Sequence, residues 1–280
     1  MKTKKLLNGF EMPVLGIGTF GIGGEHKPDY SQDKENIKLI RRAINLGYTH
    51  LDTAEVYGGG HTEELVGNSI KNFDRKKLFI TTKVYPNHLR YEDVINSAKN
   101  SLKRLGTDYI DLYLIHAPNL SIPLKETMGA MDYLRDNGLI RNIGVSNFNV
   151  KQIKEAQKHT KNKIVANELK YNLWAKDIDL KTIKYCQEND IMVIAHKPFG
   201  RGKIATEKVG LLFDLSKKYS KTEAQIILNW LISKKNTVAI FKTKNLNNLH
   251  KNLDSLNFQI DKKDNEKIDR IIKQNSRKRK

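Results

Sequence analysis

Residues 78–116, "LFITTKVYPNHLRYEDVINSAKNSLKRLGTDYIDLYLIH", contain one complete strand–helix–strand unit. Its two ends, "LFITTKV" (78–84) and "IDLYLIH" (110–116), are short runs of β-branched and aliphatic residues. Such runs suit strands buried on both faces. Between them "YEDVINSAKNSLKRLG" repeats its apolar residues at helical spacing and stops at Gly106, a helix-end signal. A helical crossover between two buried strands leaves those strands parallel.

The unit recurs on both sides. Similar runs are "PVLGIG" (13–18), "THLDTA" (49–54), "IRNIGVS" (140–146), "KIVANEL" (163–169), "IMVIAHK" (191–197) and "TVAIFK" (237–242), which makes eight in all. Helical patterns lie between and after them: "DKENIKLIRRAINLG", with Ile37, Ile40, Ala43 and Ile44 on one face, "KTEAQIILNWLIS" and "NLNNLHKNLDSL". Eight such units at roughly 30-residue spacing suit a closed (β/α)8 TIM barrel of about 250 residues; an open doubly wound sheet is the main alternative. The opening "KKLLNGFEM" reads as a separate β-hairpin turning at Asn8-Gly9. C-terminal helices follow the last strand. No linker or charge shift divides the chain, so 1–280 is expected to be a single barrel domain, with a disordered basic tail at about 276–280.

The hydrophobic fraction of 39% is enough for a sizeable core and argues against a disordered chain. Cys186 is the only cysteine, so neither a disulfide framework nor a thiolate metal site is expected. No signal-like or membrane-spanning apolar run is evident, and a cytoplasmic protein that does not engage a membrane is expected. The net charge of +19 is spread along the chain and interleaved with acids, as in "DKKDNEKIDR". That distribution fits a solvated surface with non-specific attraction for polyanions, and no specific nucleic-acid partner is expected.

"GIGTFG" (16–21) matches the dinucleotide fingerprint, but that motif must open a helix. Here the next helical pattern begins near Asp33, so a Rossmann site is rejected.

In a barrel of this kind the chemistry sits at the C-terminal ends of the strands. Polar residues stand at seven successive ends: Asp52 with Tyr57 in the following loop, Lys83, His116, Ser146-Asn147, Asn167-Glu168, His196-Lys197 and Lys242-Thr243. Each alone has an ordinary structural explanation as a cap, a loop anchor or a core residue. Their recurrence at one end does not. Asp52, Tyr57, Lys83 and His116 also make chemical sense together. A free tyrosine, at a pKa of about 10, is too weak an acid for work near neutrality. An ammonium beside it favours the phenolate, a carboxylate holds that ammonium, and a histidine orients a carbonyl oxygen. Such a set delivers a proton to a carbonyl while another group supplies hydride.

With "MPVLGIGTF", "LDTAEVYG", "FITTKV", "LYLIHAP", "IGVSNF" and "AIFKT" in order over nearly the whole chain, the sequence resembles the aldo-keto reductases. The resemblance implies a (β/α)8 barrel that reduces aldehydes and ketones with NADPH and without a metal; NADH is a possible substitute. It implies Tyr57 as general acid, Lys83 and Asp52 as the pair lowering its pKa, and His116 as the carbonyl-orienting residue. Gly18, Thr19, Asp52, Ser146, Asn147, Glu168, His196, Lys242, Thr243 and Asn252 are the implied cofactor contacts. Phe20, Tyr85, Asn119 and Phe148 are candidates for the substrate, with Trp174 a further one. Three positions depart from the family pattern. Glu168 replaces a usual Gln, His196 a usual Tyr that stacks on the nicotinamide, and Asn248 the usual Arg at the 2′-phosphate. Arg offers a bidentate fork that Asn lacks. With no long C-terminal loop, a small aldehyde, ketoaldehyde or sugar-like carbonyl is the expected substrate, acted on by a monomer or weak homo-oligomer. The alternative is a cofactor-binding regulatory or redox-sensing subunit with little turnover.

Overall fold

A computed structural model describes residues 1–277. Of the tail expected to be disordered at about 276–280, Ser276 and Arg277 instead end the helix Lys262–Arg277, and positions 278–280 lie outside the described residues. Two short strands, β1 (Thr3–Lys5) and β2 (Glu11–Pro13), pair antiparallel with Lys4 opposite Met12. Eight more follow: β3 (Leu15–Gly18), β4 (His50–Asp52), β5 (Phe79–Val84), β6 (Leu112–Ile115), β7 (Ile143–Ser146), β8 (Ile164–Lys170), β9 (Met192–His196) and β10 (Thr237–Phe241). They form a closed barrel in the order β10-β3-β4-β5-β6-β7-β8-β9. The closed (β/α)8 expectation therefore holds, and the open sheet does not.

Contacts group the chain into two compact units, residues 16–168 and residues 2–15 with 169 onward. In the first, β3 to β8 pair in parallel, with Gly18 beside Asp52 and Lys83 beside Leu114. The strands are buried on both faces, as their continuous apolar runs require. The crossover helix Tyr91–Leu105 turns Val94, Ile95, Ala98, Leu102 and Leu105 inward. It places Glu92 and Asp93 at its N-terminus and Lys103 and Arg104 at its C-terminus, matching the helix dipole. Gly106 ends it in the left-handed conformation, φ 63°.

Three features differ from the sequence expectation. The run 110–116 pairs as a strand only over Leu112–Ile115, with Ile110 in an isolated bridge to Ile140. The carboxylate of Asp111 interrupts it, accepting from Ile80 N at 2.9 Å and from Arg75 at 2.7 Å. The hairpin turn is closed by Gly9 N donating to Leu6 O, so Leu7 and Asn8 are its central residues and Gly9 follows at φ 89°. The second unit also contains a helix the periodicity did not reveal, Gly210–Tyr219. The helix expected near Asp33 begins there, fourteen residues after Thr19, and no helix opens at the "GIGTFG" glycines.

His61 joins the starts of two helices in the first unit. Its Nε2 lies 2.9 Å from Asp33 Oδ1 and its Nδ1 2.9 Å from Glu64 Oε2, with the Tyr30 ring 4.3 Å away. Burial alone lowers its pKa, but the hydrogen bonds to Glu64 and Asp33 and their charges outweigh that and raise it. A raised folded-state pKa gives stability that is complete below the unfolded value and lost as pH rises through the folded one. His61→Gln is therefore expected to cost about 1 kcal/mol at pH 6 and less at pH 9, both carboxylates being partly exposed. Urea unfolding at the two pH values checks this; an equal cost at both would mean the ring acts by packing alone.

Candidate active site

The quoted strand pair β5 and β6 supplies two of the site residues, and β4, β7 and β8 supply the rest. Lys83 lies within β5 with no solvent exposure. A buried ammonium must be paired, and this one is paired twice. It donates to Asp52 Oδ1 at 2.6 Å and to the Thr53 carbonyl at 3.1 Å, and lies 3.2 Å from Glu168 Oε2. Its nitrogen is also 5.3 Å from the centroid of the Tyr57 ring.

Tyr57 opens the turn Tyr57–Gly60, whose three glycines have φ values of 56°, 61° and 100°. At Gly58 a Cβ would stand 2.5 Å from the Gly23 carbonyl, so position 58 is closed to other residues both by its positive φ and by that clash. The ring of Tyr57 is largely buried, packed edge-on against Phe20 (5.1 Å) and His116 (5.7 Å). His116 directly follows β6, its amide donating to Val84 O at 3.0 Å. The structure thus brings Asp52, Tyr57, Lys83 and His116 together.

The electrostatics correct one expectation. Burial raises the Tyr57 pKa, and although Lys83 lowers it, Asp52 and Glu168 raise it again, so the phenol holds its proton firmly. The net lowering expected from the Lys83–Asp52 pair is confined to the lysine's share; the aspartate acts the other way. Burial and then the charge of Glu168 push Asp52 well above the usual carboxylate range, against the pull of Lys83. Lys83 itself is raised: burial opposes its charge, but Asp52 and Glu168 prevail. His50, two residues below Asp52, is lowered to about 3 by burial and the charge of Lys83, so it is neutral.

Asn147 ties the rim together. It adopts φ 61°, its amide nitrogen Nδ2 donates to His116 O and Ser146 Oγ, both at 3.0 Å, and its backbone N–H donates to Glu168 O at 2.9 Å. Ser146 Oγ also donates to Glu168 O at 3.2 Å. Thr19 donates from both its amide and its hydroxyl to Asp52 O at 2.9 Å, beside Gly18. Phe20, Tyr85 and Asn119 are half-buried near these loops, with Asn119 donating to Pro86 O at 2.8 Å. Phe148 is not with them. It is 1% exposed and packs as a core residue, while Asn167 donates to its carbonyl at 2.9 Å.

Sequence reading does not single out Glu55, yet its Oε1 accepts from Tyr85 N at 2.5 Å and lies 3.0 Å from His88 Nδ1. It fixes the loop after β5. Its place between Asp52 and Tyr57 was the available signal. Sequence reading also missed the contact of Glu168 with Lys83, having assigned that carboxylate to the cofactor alone.

In the second unit, His196 and Trp174 are partly exposed and Lys242, Lys244, Asn248 and His250 are exposed. Thr243 and Lys244 lead into the helix Leu246–Leu253, whose N-cap is Asn245. Asn252, one of the implied cofactor contacts, is buried at 4% exposure.

The family model described as "Aldo/keto reductase family" matches residues 14–273. The chain belongs to the aldo/keto reductase family. It is an oxidoreductase of that family. Its glyoxal reductase relative from Bacillus subtilis (strain 168) is 34% identical over 273 residues, covering 97% of this chain and 93% of the relative. A thermostable aldo-keto reductase solved with the inhibitor epalrestat superposes with a TM-score of 0.92 at 44% identity, covering 97% of this chain and all of its own. An aldo/keto reductase from Klebsiella pneumoniae, solved with NADP and acetate, has a TM-score of 0.85 at 28% identity, covering 97% and 95% of the two chains.

The donor chemistry of this aldo/keto reductase fits a phosphorylated nicotinamide dinucleotide. Ser146 and Asn147 present a hydroxyl and an amide at the β7 end, and exposed Lys242 and Lys244 precede a helix N-terminus, a place suited to phosphate. Asn248 adds no charge there. Among the described residues no helix is long and apolar enough to cross a membrane.

Proposed function

We propose that this chain reduces small aldehydes and ketones to alcohols with NADPH, and that glyoxal-like dicarbonyls are among its substrates. The observation that carries the reading is the buried Lys83 ammonium held by Asp52 beside the Tyr57 ring. The relative that bears the name glyoxal reductase supports the substrate class.

The bound cofactor supplies hydride to the carbonyl carbon. The chain does the rest. Tyr57 gives its proton to the carbonyl oxygen as that oxygen gains charge, and Lys83 stabilises the phenolate left behind. His116, edge-on to Tyr57, hydrogen-bonds the same oxygen and shares its charge. Gly18, Thr19, Asp52, Ser146, Asn147 and Glu168 are proposed to hold the nicotinamide end. His196 is proposed to face that ring, Lys242 and Thr243 the 2′-phosphate, and Asn252 the adenine end. Phe20, Tyr85 and Asn119 are proposed to contact the substrate.

Purified protein with NADPH and glyoxal, methylglyoxal or simple aldehydes is expected to consume NADPH, read as loss of the absorbance of the reduced nicotinamide. No turnover across such a panel, with cofactor demonstrably bound, favours the regulatory-subunit alternative. Lys242→Ala is expected to weaken NADPH about tenfold and NADH less than about twofold, since only NADPH carries the extra phosphate. Equal weakening, measured by fluorescence titration, would place the phosphate elsewhere.

A further inference from the structure

The Glu168 carboxylate has no evident reason to sit on Lys83. One carboxylate already neutralises that ammonium, and Asp52 does so at 2.6 Å. A second, at 3.2 Å and 6% side-chain exposure, brings two acids to one cation in a nearly buried site that reaches solvent only at Glu168. With both ionised the cluster carries a net negative charge, which a dry site disfavours. The buried Oδ2 of Asp52 receives no donor among the described residues, which leaves a place for a proton.

We propose that Glu168 is a positioning residue for Lys83 and that Asp52 and Glu168 together hold one exchangeable proton that restores Tyr57 after each reduction. This rests on the carbonyl-reductase reading above. In each cycle the Tyr57 O–H bond breaks and its proton goes to the carbonyl oxygen, while the reduced nicotinamide supplies two electrons as hydride. The phenolate then takes a proton from the Lys83 ammonium, and the lysine recovers one from the carboxyl pair. Solvent reprotonates the pair. The longer Lys83–Glu168 contact is the one that can open as the ammonium turns to the phenolate. The raised pKa of Asp52, with burial first and Glu168 second among its causes, fits a pair that shares a proton.

The groups facing the pair are Lys83 from β5, Tyr57 from the following turn, and His50 from β4, which is neutral. His116 faces Tyr57 and is unchanged in every variant below. Once the pair loses its proton, the added negative charge favours the cationic oxidised nicotinamide over the neutral reduced one.

Two measurements test this. The first needs no turnover: the ratio of the NADP+ to the NADPH dissociation constant, by fluorescence titration between pH 6 and pH 9. Ionisation of the 2′-phosphate cancels in that ratio. In the wild type it is expected to fall by about tenfold as pH rises, the effect of one added charge worth about one pKa unit. In Glu168→Gln it is expected to change less than about twofold, and Glu168→Asp should restore the slope. The second is the pH profile of kcat for reduction, which should have a descending limb in the wild type that moves down by at least about one pH unit in Glu168→Gln, because Asp52 then loses the neighbour that helps it keep a proton. A flat wild-type ratio, or a slope unchanged in Glu168→Gln, overturns the proposal. The wild-type ratio is sufficient by itself should Glu168→Gln fold poorly. A pH-dependent ratio without turnover keeps the carboxyl pair and removes the reductase reading; turnover with a flat ratio does the reverse.

Discussion

Lys83→Met is expected to lower kcat for carbonyl reduction by about a thousandfold or more, near 4 kcal/mol of barrier. The phenolate would form with no cation beside it, and Asp52 and Glu168 would remain buried with no partner. The same variant should lose stability in a pH-dependent way. Carboxyls whose folded-state pKa is raised contribute stability at low pH and lose it as pH rises through that value. In Lys83→Met, Asp52, already raised by burial and by the charge of Glu168, loses the opposing pull of Lys83, so the cost should be small near pH 5 and roughly 3–5 kcal/mol near pH 8. Urea unfolding at the two pH values, with kcat measured at each, checks both parts. A variant equally stable at pH 5 and 8 would show that the carboxylates reach water when the ammonium is removed.

Arg104→Met is expected to cost roughly 3–5 kcal/mol of stability, the range for stranding one partner of a buried ion pair. Glu63 has no solvent exposure, accepts from Arg104 Nε at 2.7 Å and from Thr82 Oγ1 at 2.5 Å, and loses the cation paired with it in the variant. Burial already raises its pKa, against the pull of Arg104, so the cost should grow with pH. Glu63→Gln combined with Arg104→Met should recover most of it. Activity should fall as well, because the Arg104 side chain packs under Gly60, where a Cβ would meet its Cδ at 3.0 Å. That packing supports the turn that carries Tyr57. Unaltered thermal unfolding of Arg104→Met would refute the stabilising role.

The barrel was legible because parallel strands buried on both faces leave continuous apolar runs, and 78–116 shows two of them around a helix with both ends marked. Asp52, Tyr57, Lys83 and His116 were legible because they combine sequence position at strand ends with one chemistry. The Glu168–Lys83 contact was not. β5 and β8 are far apart in sequence, and which inward residues meet depends on the stagger of the strands, which no local pattern records. Phe148 misled for a local reason: Asn147 takes a left-handed conformation after β7, and the next side chain goes into the core. The helix Gly210–Tyr219 has no side-chain N-cap and ends at Ser220, φ 52°, in place of a glycine, so its boundaries carry no sequence signal. The direction of the Tyr57 shift depends on how deeply the ring is buried, a quantity that only the packed fold supplies.

The proton that Tyr57 delivers is the centre of the mechanism, and Tyr57→Phe removes it while leaving the ring packed against Phe20 and His116. Single-turnover oxidation of bound NADPH by methylglyoxal is the most direct measurement. The variant is expected to bind NADPH within about twofold of the wild type and to react about 10²–10⁴ times more slowly. A Tyr57→Phe protein that binds the cofactor and reacts at the wild-type rate would contradict the assignment of Tyr57 as the proton donor.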